Sequence, residues 1–231
     1  MFDTAYDSRP VVDPLTGHQF QPYADNGGTV VGLAGNDFAM LASDTRLSSG
    51  YSIYTRDQTK LFKLTDACLL GSTGCWCDIL TFRKIIEARL TMYSQDHNRT
   101  ITTPAIAQLL SNMLYNKRFF PYYISNVIAG LDTDGKGCLY SYDPVGHCER
   151  EYYHAGGSSA ALIQPLLDSQ VGLKNQRAAV MKDLTVESAK KLIKDVFISA
   201  TERDIYCGDS VDIQIITKDG VQSETMLLRR D

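Results

Sequence analysis

The order in which strand-like and helix-like segments follow one another is the strongest constraint on the fold of this chain. Strand-like segments come first, two helices follow, strands return, two more helices follow, and strands close the chain. Strands joined by tight turns form antiparallel sheets, and two separate pairs of amphipathic helices need two sheet surfaces to cover. The pattern therefore predicts an α+β protein, a four-layer α-β-β-α sandwich of two antiparallel sheets.

Three β-hairpins are predicted by apolar runs on either side of turn residues. They span residues 29–43, 124–142 and 211–228. The turn of the second hairpin, Asp132-Thr133-Asp134-Gly135, also matches the opening of a calcium loop. A calcium loop needs further ligands, including a distal glutamate, and these are missing, so we favour the hairpin. Further strands are expected near residues 51–54, 60–64, 67–72 and 149–154.

Four amphipathic helices are predicted from apolar residues at helical spacing. The first covers residues 79–90, and Thr103-Pro104 supplies the N-cap and first-turn proline of the second. The third follows Gly156-Gly157-Ser158-Ser159 and runs through Leu167, and the fourth begins at Thr185-x-x-Ser188.

Residues 1–27 differ in texture from the rest of the chain. They hold three of its seven prolines and no sustained periodicity, which favours an N-terminal extension or pro-segment over a lead-in strand. The first fourteen residues are acidic and polar, so we expect neither a secretory signal nor a mitochondrial transit peptide. Residues 28–231 contain no repeat, low-complexity tract or linker, and we expect them to form a single domain.

Charge and cysteine spacing exclude several classes of function. The formal net charge is −4, so neither nucleic acid nor an anionic membrane is an expected partner, and no apolar run approaches the length of about 18 residues needed to span a bilayer. The six cysteines and four histidines are scattered without metal-ligand spacing. We therefore expect reduced, inert thiols and neither a metal nor a cofactor.

Several short motifs occur in a characteristic order from about Gln19 onward. They are Gly27-Gly28-Thr29, Ala42-Ser43-Asp44-Thr45-Arg46, Lys60, Gly71-Ser72-Thr73-Gly74, Gly130-Leu131-Asp132, and Glu202-Arg203-Asp204 with Gly208-Asp209. Together they resemble the β-type subunits of the 20S proteasome, which are N-terminal nucleophile hydrolases. Two segments, residues 118–123 and 142–146, are similar to the β6 class of that family, called β type-1 in vertebrate naming, which is a non-catalytic position.

The resemblance implies where a catalytic site would lie. Active members attack a peptide carbonyl with the hydroxyl of an N-terminal threonine, uncovered by self-cleavage of a Gly-Thr bond. By resemblance Asp44, Lys60 and the oxyanion glycine Gly74 belong to that site. Counting back from Asp44 places the nucleophile at Gly28, which has no hydroxyl. Thr29 follows, and a one-residue shift along a strand should turn its side chain to the opposite face.

Other matched positions complete a degenerate site in which no residue is expected to be catalytic. Arg46 and Asp204 match framework positions, and Cys207 stands where active members have a serine. The serine that supports the terminal amine aligns near Gly157, with Ser158 beside it. For the retained charges we expect structural roles, with Arg46 forming an ion pair with Asp44 and Lys60 neutralising that buried carboxylate.

The resemblance implies a structural subunit of the core particle for ATP- and ubiquitin-dependent protein degradation in the cytoplasm and nucleus. Its expected partners are the type-5 and type-7 subunits of a seven-membered β ring, the α subunits and the opposite β ring. The run of bulky and basic residues around the aromatic segment 119–123 favours a subunit contact over a place in the core. Two alternatives remain open. Cleavage between Gly28 and Thr29 would make Thr29 the nucleophile of an active threonine endopeptidase, and a chain outside any particle would be a binding module of the same fold.

Overall fold

Two five-stranded antiparallel sheets lie face to face, and a pair of helices covers the outer face of each. The computed structural model describes residues 21–175 and 183–231. The first sheet has the strand order β10-β1-β2-β11-β12 and the second has the order β5-β6-β7-β8-β9, while β3 and β4 form a separate hairpin. The predicted four-layer sandwich is confirmed.

The elements of the described residues follow the predicted order. The strands are β1 (Thr29–Ala34), β2 (Ala39–Asp44), β3 (Leu47–Ser49), β4 (Ser52–Thr55), β5 (Leu61–Thr65), β6 (Cys68–Gly74), β7 (Ile124–Leu131), β8 (Gly137–Tyr142), β9 (Cys148–Glu151), β10 (Tyr153–Gly157), β11 (Ser210–Thr217) and β12 (Gly220–Leu227). The helices are α1 (Trp76–His97), α2 (Thr103–Tyr115), α3 (Ala160–Gln170) and α4 (Val186–Thr201). None of these helices is long and apolar enough to cross a membrane.

Three apolar cores correspond to the three interfaces between the four layers. One joins α3 and α4 to the first sheet, one joins α1 and α2 to the second sheet, and the third fills the space between the sheets. Strand β1 contributes side chains to two of these cores, because successive side chains of a strand point to opposite faces of the sheet. Val31 and Leu33 face α3 and α4, whereas Val30 faces the other sheet.

Most predicted boundaries hold to within a few residues, but α1 is longer than the predicted 79–90, and two further predictions are wrong. The predicted strand at residues 149–154 is two strands in different sheets, because β9 pairs with β8 while β10 pairs with β1. Thr102, rather than Thr103, is the N-cap of α2. Thr103 instead donates its hydroxyl to the carbonyl of Leu131 at 2.8 Å, which ties the start of the helix to the second sheet.

The candidate site lies where the chain enters the first strand of the sandwich. Residues 21–28 contain neither helix nor strand, and the first twenty residues of the predicted extension lie outside the described residues. Residue 29 begins β1 between β2 and β10, at the end of the sandwich where the second sheet contributes the end of β6. The predicted framework residues therefore meet at one end of the two sheets.

Candidate functional site

Lys60 lies immediately before β5, and its side chain is buried between the sheets. Its ammonium donates to the carbonyl of Asp44 at 2.8 Å, to the Oδ1 atom of Asp44 at 3.1 Å and to the carbonyl of Arg46 at 2.8 Å. A lysine ammonium has three N–H donors. Each of the three N–H donors of Lys60 therefore has an acceptor in Asp44 or Arg46.

Asp44 ends β2 and is fully buried opposite that ammonium. Its Oδ1 atom accepts the backbone N–H of Thr29 at 2.8 Å, and its Oδ2 atom accepts the backbone N–H of Arg46 at 3.3 Å. Burial raises the pKa of the Asp44 carboxyl, and the charge of Lys60 and the N–H of Thr29 oppose that rise. Asp44 therefore holds the lysine and the start of β1 in fixed positions.

Gly28 is the residue whose missing side chain faces Lys60. A Cβ atom built on Gly28 would lie 2.4 Å from Cε, 2.8 Å from Cδ and 3.2 Å from Nζ of Lys60. Position 28 is thus where a side chain would meet the ammonium, as the spacing from Asp44 predicts, and the lysine stem fills the space instead. The φ angle of Gly28 is 87° and that of Gly27 is 66°, a backbone that favours glycine at both positions.

The hydroxyl of Thr29 lies in different surroundings. Its Oγ1 atom is 3.3 Å from the hydroxyl oxygen of Ser158 and accepts the backbone N–H of Ser159 at 3.2 Å. Among the residues that the structure describes, no hydrogen bond joins this hydroxyl to Lys60. Thr29 itself is buried, and its backbone N–H is part of an intact peptide bond that donates to Asp44.

Asp204 follows α4 and gathers two serines beside the start of β1. Its Oδ2 atom accepts the hydroxyl of Ser158 at 2.7 Å and the hydroxyl of Ser159. The backbone N–H of Ser158 donates to the carbonyl of Gly28 at 2.9 Å. Ser158, next to the position near Gly157 where the resemblance places a serine, therefore contacts Asp204, Thr29 and the carbonyl of Gly28.

Cys207 is buried next to this cluster. Burial raises the pKa of its thiol well above the ordinary value, and the charge of Asp44 acts in the same direction, while hydrogen bonds with Ser159 and Thr29 oppose it. A thiol of this kind stays protonated near neutral pH. Cys207 is thus a small buried side chain at this site rather than a nucleophile.

The predicted ion pair between Asp44 and Arg46 is wrong. The Nε atom of Arg46 instead pairs with Asp209 at 2.8 Å, and Arg56 binds the other oxygen of that carboxylate at 2.6 Å. Burial alone would raise the pKa of Asp209, but the hydrogen bonds and charges of the two arginines outweigh it and lower the pKa below its ordinary value of 3.8. Arg46 also donates to the carbonyl of Ile205, so it joins β2 to the segments around β11.

The backbone of Gly74, at the end of β6, faces the intact chain that enters the site. The N–H of Gly74 makes a long contact of 3.5 Å with the carbonyl of Gly27, and its carbonyl accepts the N–H of Asn26 at 3.2 Å. On the other side, the N–H of Ser48 donates to the carbonyl of Asn26 at 3.4 Å. Asn26 thus lies between two backbone segments as an added strand would.

No group of three or more metal-ligating side chains occurs among the described residues. All six cysteines are free; four are buried and Cys77 alone is classed as exposed. Burial raises the pKa of Cys138 to about 11 and that of Cys68 further. Cys77 differs from the buried cysteines because it lies on the exposed side of the first turn of α1.

Comparison with known proteins assigns the chain to a family. A model of proteasome subunits matches residues 24–216, from just before Gly27 to the end of β11. The chain belongs to the proteasome subunit family. It is 55% identical over 214 residues to proteasome subunit beta type-1 of Drosophila melanogaster, covering 92% of this chain and 91% of that protein.

More distant members of the family align over the same length. Identity is 47% over 216 residues to proteasome subunit beta type-1 of Arabidopsis thaliana, which covers 92% of this chain and 97% of that protein. The chain is also 47% identical over 223 residues to proteasome subunit beta type-6 of Saccharomyces cerevisiae, an alignment that covers 93% of this chain and 92% of that protein. The similarity to the β6 class, β type-1 in vertebrate naming, therefore extends over nearly the whole of this proteasome-family chain.

Sequence reasoning brought together most of the site and missed two of its residues. Asn26 lies in the predicted extension and was assigned no role, and Arg56 lies between two predicted strands and was assigned none either. Asn26 precedes two glycines, and Asn-Gly is a signal for a tight turn that could have drawn attention to it. No local signal points to Arg56, because its partner Asp209 is 153 residues away.

Proposed function

We propose that this chain is a non-catalytic structural subunit of the 20S proteasome core particle, in the β6 position. The observation that carries the proposal is the contact between Gly28 and Lys60. The position that faces the ammonium lacks a hydroxyl, and a side chain there would overlap the lysine stem. Lys60 gives its three donors to Asp44 and Arg46, which leaves the ammonium saturated without a nucleophile.

In this role the chain completes a seven-membered β ring and shapes the chamber for ATP- and ubiquitin-dependent protein degradation. Its partners would be the type-5 and type-7 β subunits, the α subunits above it and the β subunits of the opposite ring. Its similarity to proteasome subunits of other organisms supports a place among proteasome subunits. The compartments that follow from this role are the cytoplasm and the nucleus.

The proposal includes a division of the chain. Residues 1–27 would be an N-terminal extension and residues 28–231 the single β-type domain, with residues 19–28 staying attached in the assembled particle. The hydrogen bonds of Asn26 with Gly74 and Ser48 support retention of the last part of this extension. Sequencing of the N-terminus from assembled particles tests it, and chains that all begin at Thr29 would contradict it.

A second function is an active threonine endopeptidase with Thr29 as its N-terminal nucleophile. The Gly28-Thr29 dipeptide is the observation in its favour. Against it, the Thr29 hydroxyl contacts Ser158 and Ser159, and the residue is buried.

Mass spectrometry of purified particles treated with a threonine-directed covalent inhibitor decides between the two functions. We expect no adduct on this chain and no chain that begins at Thr29, while the catalytic subunits of the same particles carry the label as an internal control. An adduct at Thr29 that disappears in a Thr29→Val variant would overturn the proposal. Native size measurement adds a separate test, since a structural subunit should elute at several hundred kDa and a binding module near 26 kDa.

A further inference from the structure

Residues 22–28, which we call the strap, cross the end of the sandwich before the chain enters β1. The strap has neither helix nor strand, yet it is held at two separate places. One is the cleft between Ser48 and Gly74. The other is the segment 120–123, which we call the aromatic loop.

Asn26 fastens the strap in the cleft through both its backbone and its side chain. The backbone bonds join Gly74 and Ser48, and the side-chain Nδ2 atom donates to the carbonyl of Ser48 at 3.3 Å. The Oδ1 atom accepts the backbone N–H of Trp76 at 2.9 Å. Trp76 begins α1, and a first-turn N–H has no acceptor within its own helix. Asn26 therefore supplies that acceptor.

Tyr23 fastens the strap to the aromatic loop. Its ring centroid lies 5.8 Å from that of Phe120 and 5.4 Å from that of Tyr123, and its hydroxyl donates to the carbonyl of Pro121 at 2.7 Å. The loop is itself fixed, because the backbone N–H of Tyr123 donates to Asp78 of α1 at 2.9 Å. Tyr23 thus docks on a surface that is already positioned by α1.

Gly27 and Gly28 turn the strap into β1. A Cβ atom on Gly27 would lie 2.8 Å from Cβ of Tyr206, and the N–H of Gly27 donates to the side chain of Asp25 at 2.9 Å. Both glycines have positive φ angles. The turn therefore uses two residues that can approach neighbouring atoms closely and adopt a left-handed backbone.

We propose that the aromatic loop is an intramolecular docking site for Tyr23, and that this contact keeps the strap in the cleft as a built-in plug. This inference rests on the proposed non-catalytic function and extends it. The strap occupies the backbone groups of Gly74 and Ser48, which an extended peptide could otherwise bind. Two aromatic contacts and a hydrogen bond at Tyr23 restrict the chain three residues before Asn26. This restriction lowers the entropy that Asn26 must lose to pair with Gly74 and Ser48.

Amide hydrogen exchange of the full chain, followed by mass spectrometry with residue-level resolution, tests the proposal. The reporters are the N–H groups of Trp76 and Ser48, which lie outside the strap and donate to Asn26. Asn26→Ala removes the side-chain acceptor and sets the exchange rate of an unprotected Trp76 amide. Tyr23→Ala should raise exchange at both reporters at least tenfold, although it changes neither reporter nor acceptor.

The matched control is Tyr152→Ala. Tyr152 is an exposed tyrosine between β9 and β10 whose carbonyl accepts the N–H of Ala34 at the far end of β1, and its replacement should leave both rates unchanged. Tyr23→Phe keeps the two ring contacts and loses the hydroxyl bond to Pro121, so we expect a rise of about threefold. This variant tests the proposal if Tyr23→Ala fails to fold. Unchanged rates at Trp76 and Ser48 in a folded Tyr23 variant would overturn the proposal. The rates are read on this chain whether or not it joins a particle, so the result is separate from the test of proteasome assembly.

Discussion

Two regions of the molecule each contain a lysine paired with a carboxylate. One is the end of the sandwich where β1 begins, where the pair is buried, and the other is the surface between α4 and β12, where the pair is exposed to water. Lys60 and Asp44 are 3.1 Å apart with side chains exposed by 1% and 0%. Lys194 and Glu224 are closer, at 2.8 Å, with side chains exposed by 37% and 39%. The shorter distance belongs to the weaker pair, because water competes for the exposed charges and cannot reach the buried ones.

The two environments predict different consequences when one partner of the ion pair is removed. At the surface, each partner of a lost ion pair is solvated by water. In the buried pair, removal of Lys60 would leave the Asp44 carboxylate without a neighbouring cation. Asp44 also accepts the backbone N–H of Thr29, so the start of β1 would be affected too. The buried charges of Asp44 and Lys60 therefore help to support the start of the first sheet.

Replacement of Lys60 should have the largest effect. We expect Lys60→Met to lower the free energy of unfolding by about 3–5 kcal/mol, because Asp44 must stay charged without a partner or take up a proton. Urea unfolding measures it. The double variant Lys60→Met/Asp44→Leu removes both charges and should recover most of the loss. A single variant within about 1 kcal/mol of the parent would mean that burial does not separate the two regions.

Replacement of the buried carboxylate of Asp209 should have the second-largest effect on stability. Asp209→Asn weakens the bonds from Arg46 and Arg56, and we expect it to lower the free energy of unfolding at pH 7 by about 1.5–3 kcal/mol. The pKa of Asp209 in the folded chain lies below its ordinary value of 3.8. The stabilisation is thus present above that value and is lost as the pH falls through the folded pKa.

Unfolding of the parent and of Asp209→Asn between about pH 7 and pH 3 measures this dependence. The difference between them should shrink toward the acid end. Asp66→Asn is the matched control, because Asp66 pairs with Lys63 while its side chain is 97% exposed, and it should be close to neutral throughout. A difference that grows with falling pH would contradict the assigned direction of the Asp209 pKa.

A side chain at position 28 should have a smaller effect. We expect Gly28→Ala to lower the free energy of unfolding by about 1–2 kcal/mol, from its positive φ angle together with the displacement of the Lys60 stem. Gly50→Ala is the control, because its φ is also positive while its Cβ would have no atom within 4 Å. Equal losses at the two positions would show that the contact with Lys60 contributes nothing.

The surface pair should give the smallest effect. Lys194→Ala removes one of the two lysines that pair with Glu224. We expect a loss of less than about 1 kcal/mol, because the pair is exposed and Lys190 still pairs with the same carboxylate. The loss should fall further when unfolding is measured in about 1 M salt, where charges are screened over about 3 Å. A loss as large as that of Lys60→Met would remove the distinction between the two regions.

The sequence predicts the layers of the fold well because each depends on local patterns. Apolar residues at helical spacing mark the helices, and Thr185 with Ser188 marks the start of α4, where both capping bonds are present. The split between β9 and β10 was missed because a single residue, Tyr152, separates two strands that pair in different sheets.

The candidate site is less accessible to sequence reasoning because its partners are distant along the chain. The resemblance to β-type proteasome subunits, rather than any local pattern, placed Gly28, Asp44 and Lys60 in one site, and the structure brings the three residues together. The pairing of Arg46 was predicted wrongly, because a neighbouring carboxylate was available in sequence while the actual partner is 163 residues away. Long-range choices of this kind follow from how the sheets pack, which local patterns do not contain.

The paired glycines at the entrance to β1 have a consequence for any substitution at position 28. As long as the bond between them is uncut, a threonine at position 28 must adopt an unfavourable backbone and displace the stem of Lys60. A threonine introduced there alone would therefore find no free space beside the ammonium. Residues 28 and 60 thus constrain each other, so that a larger residue at position 28 requires a rearrangement of Lys60 as well.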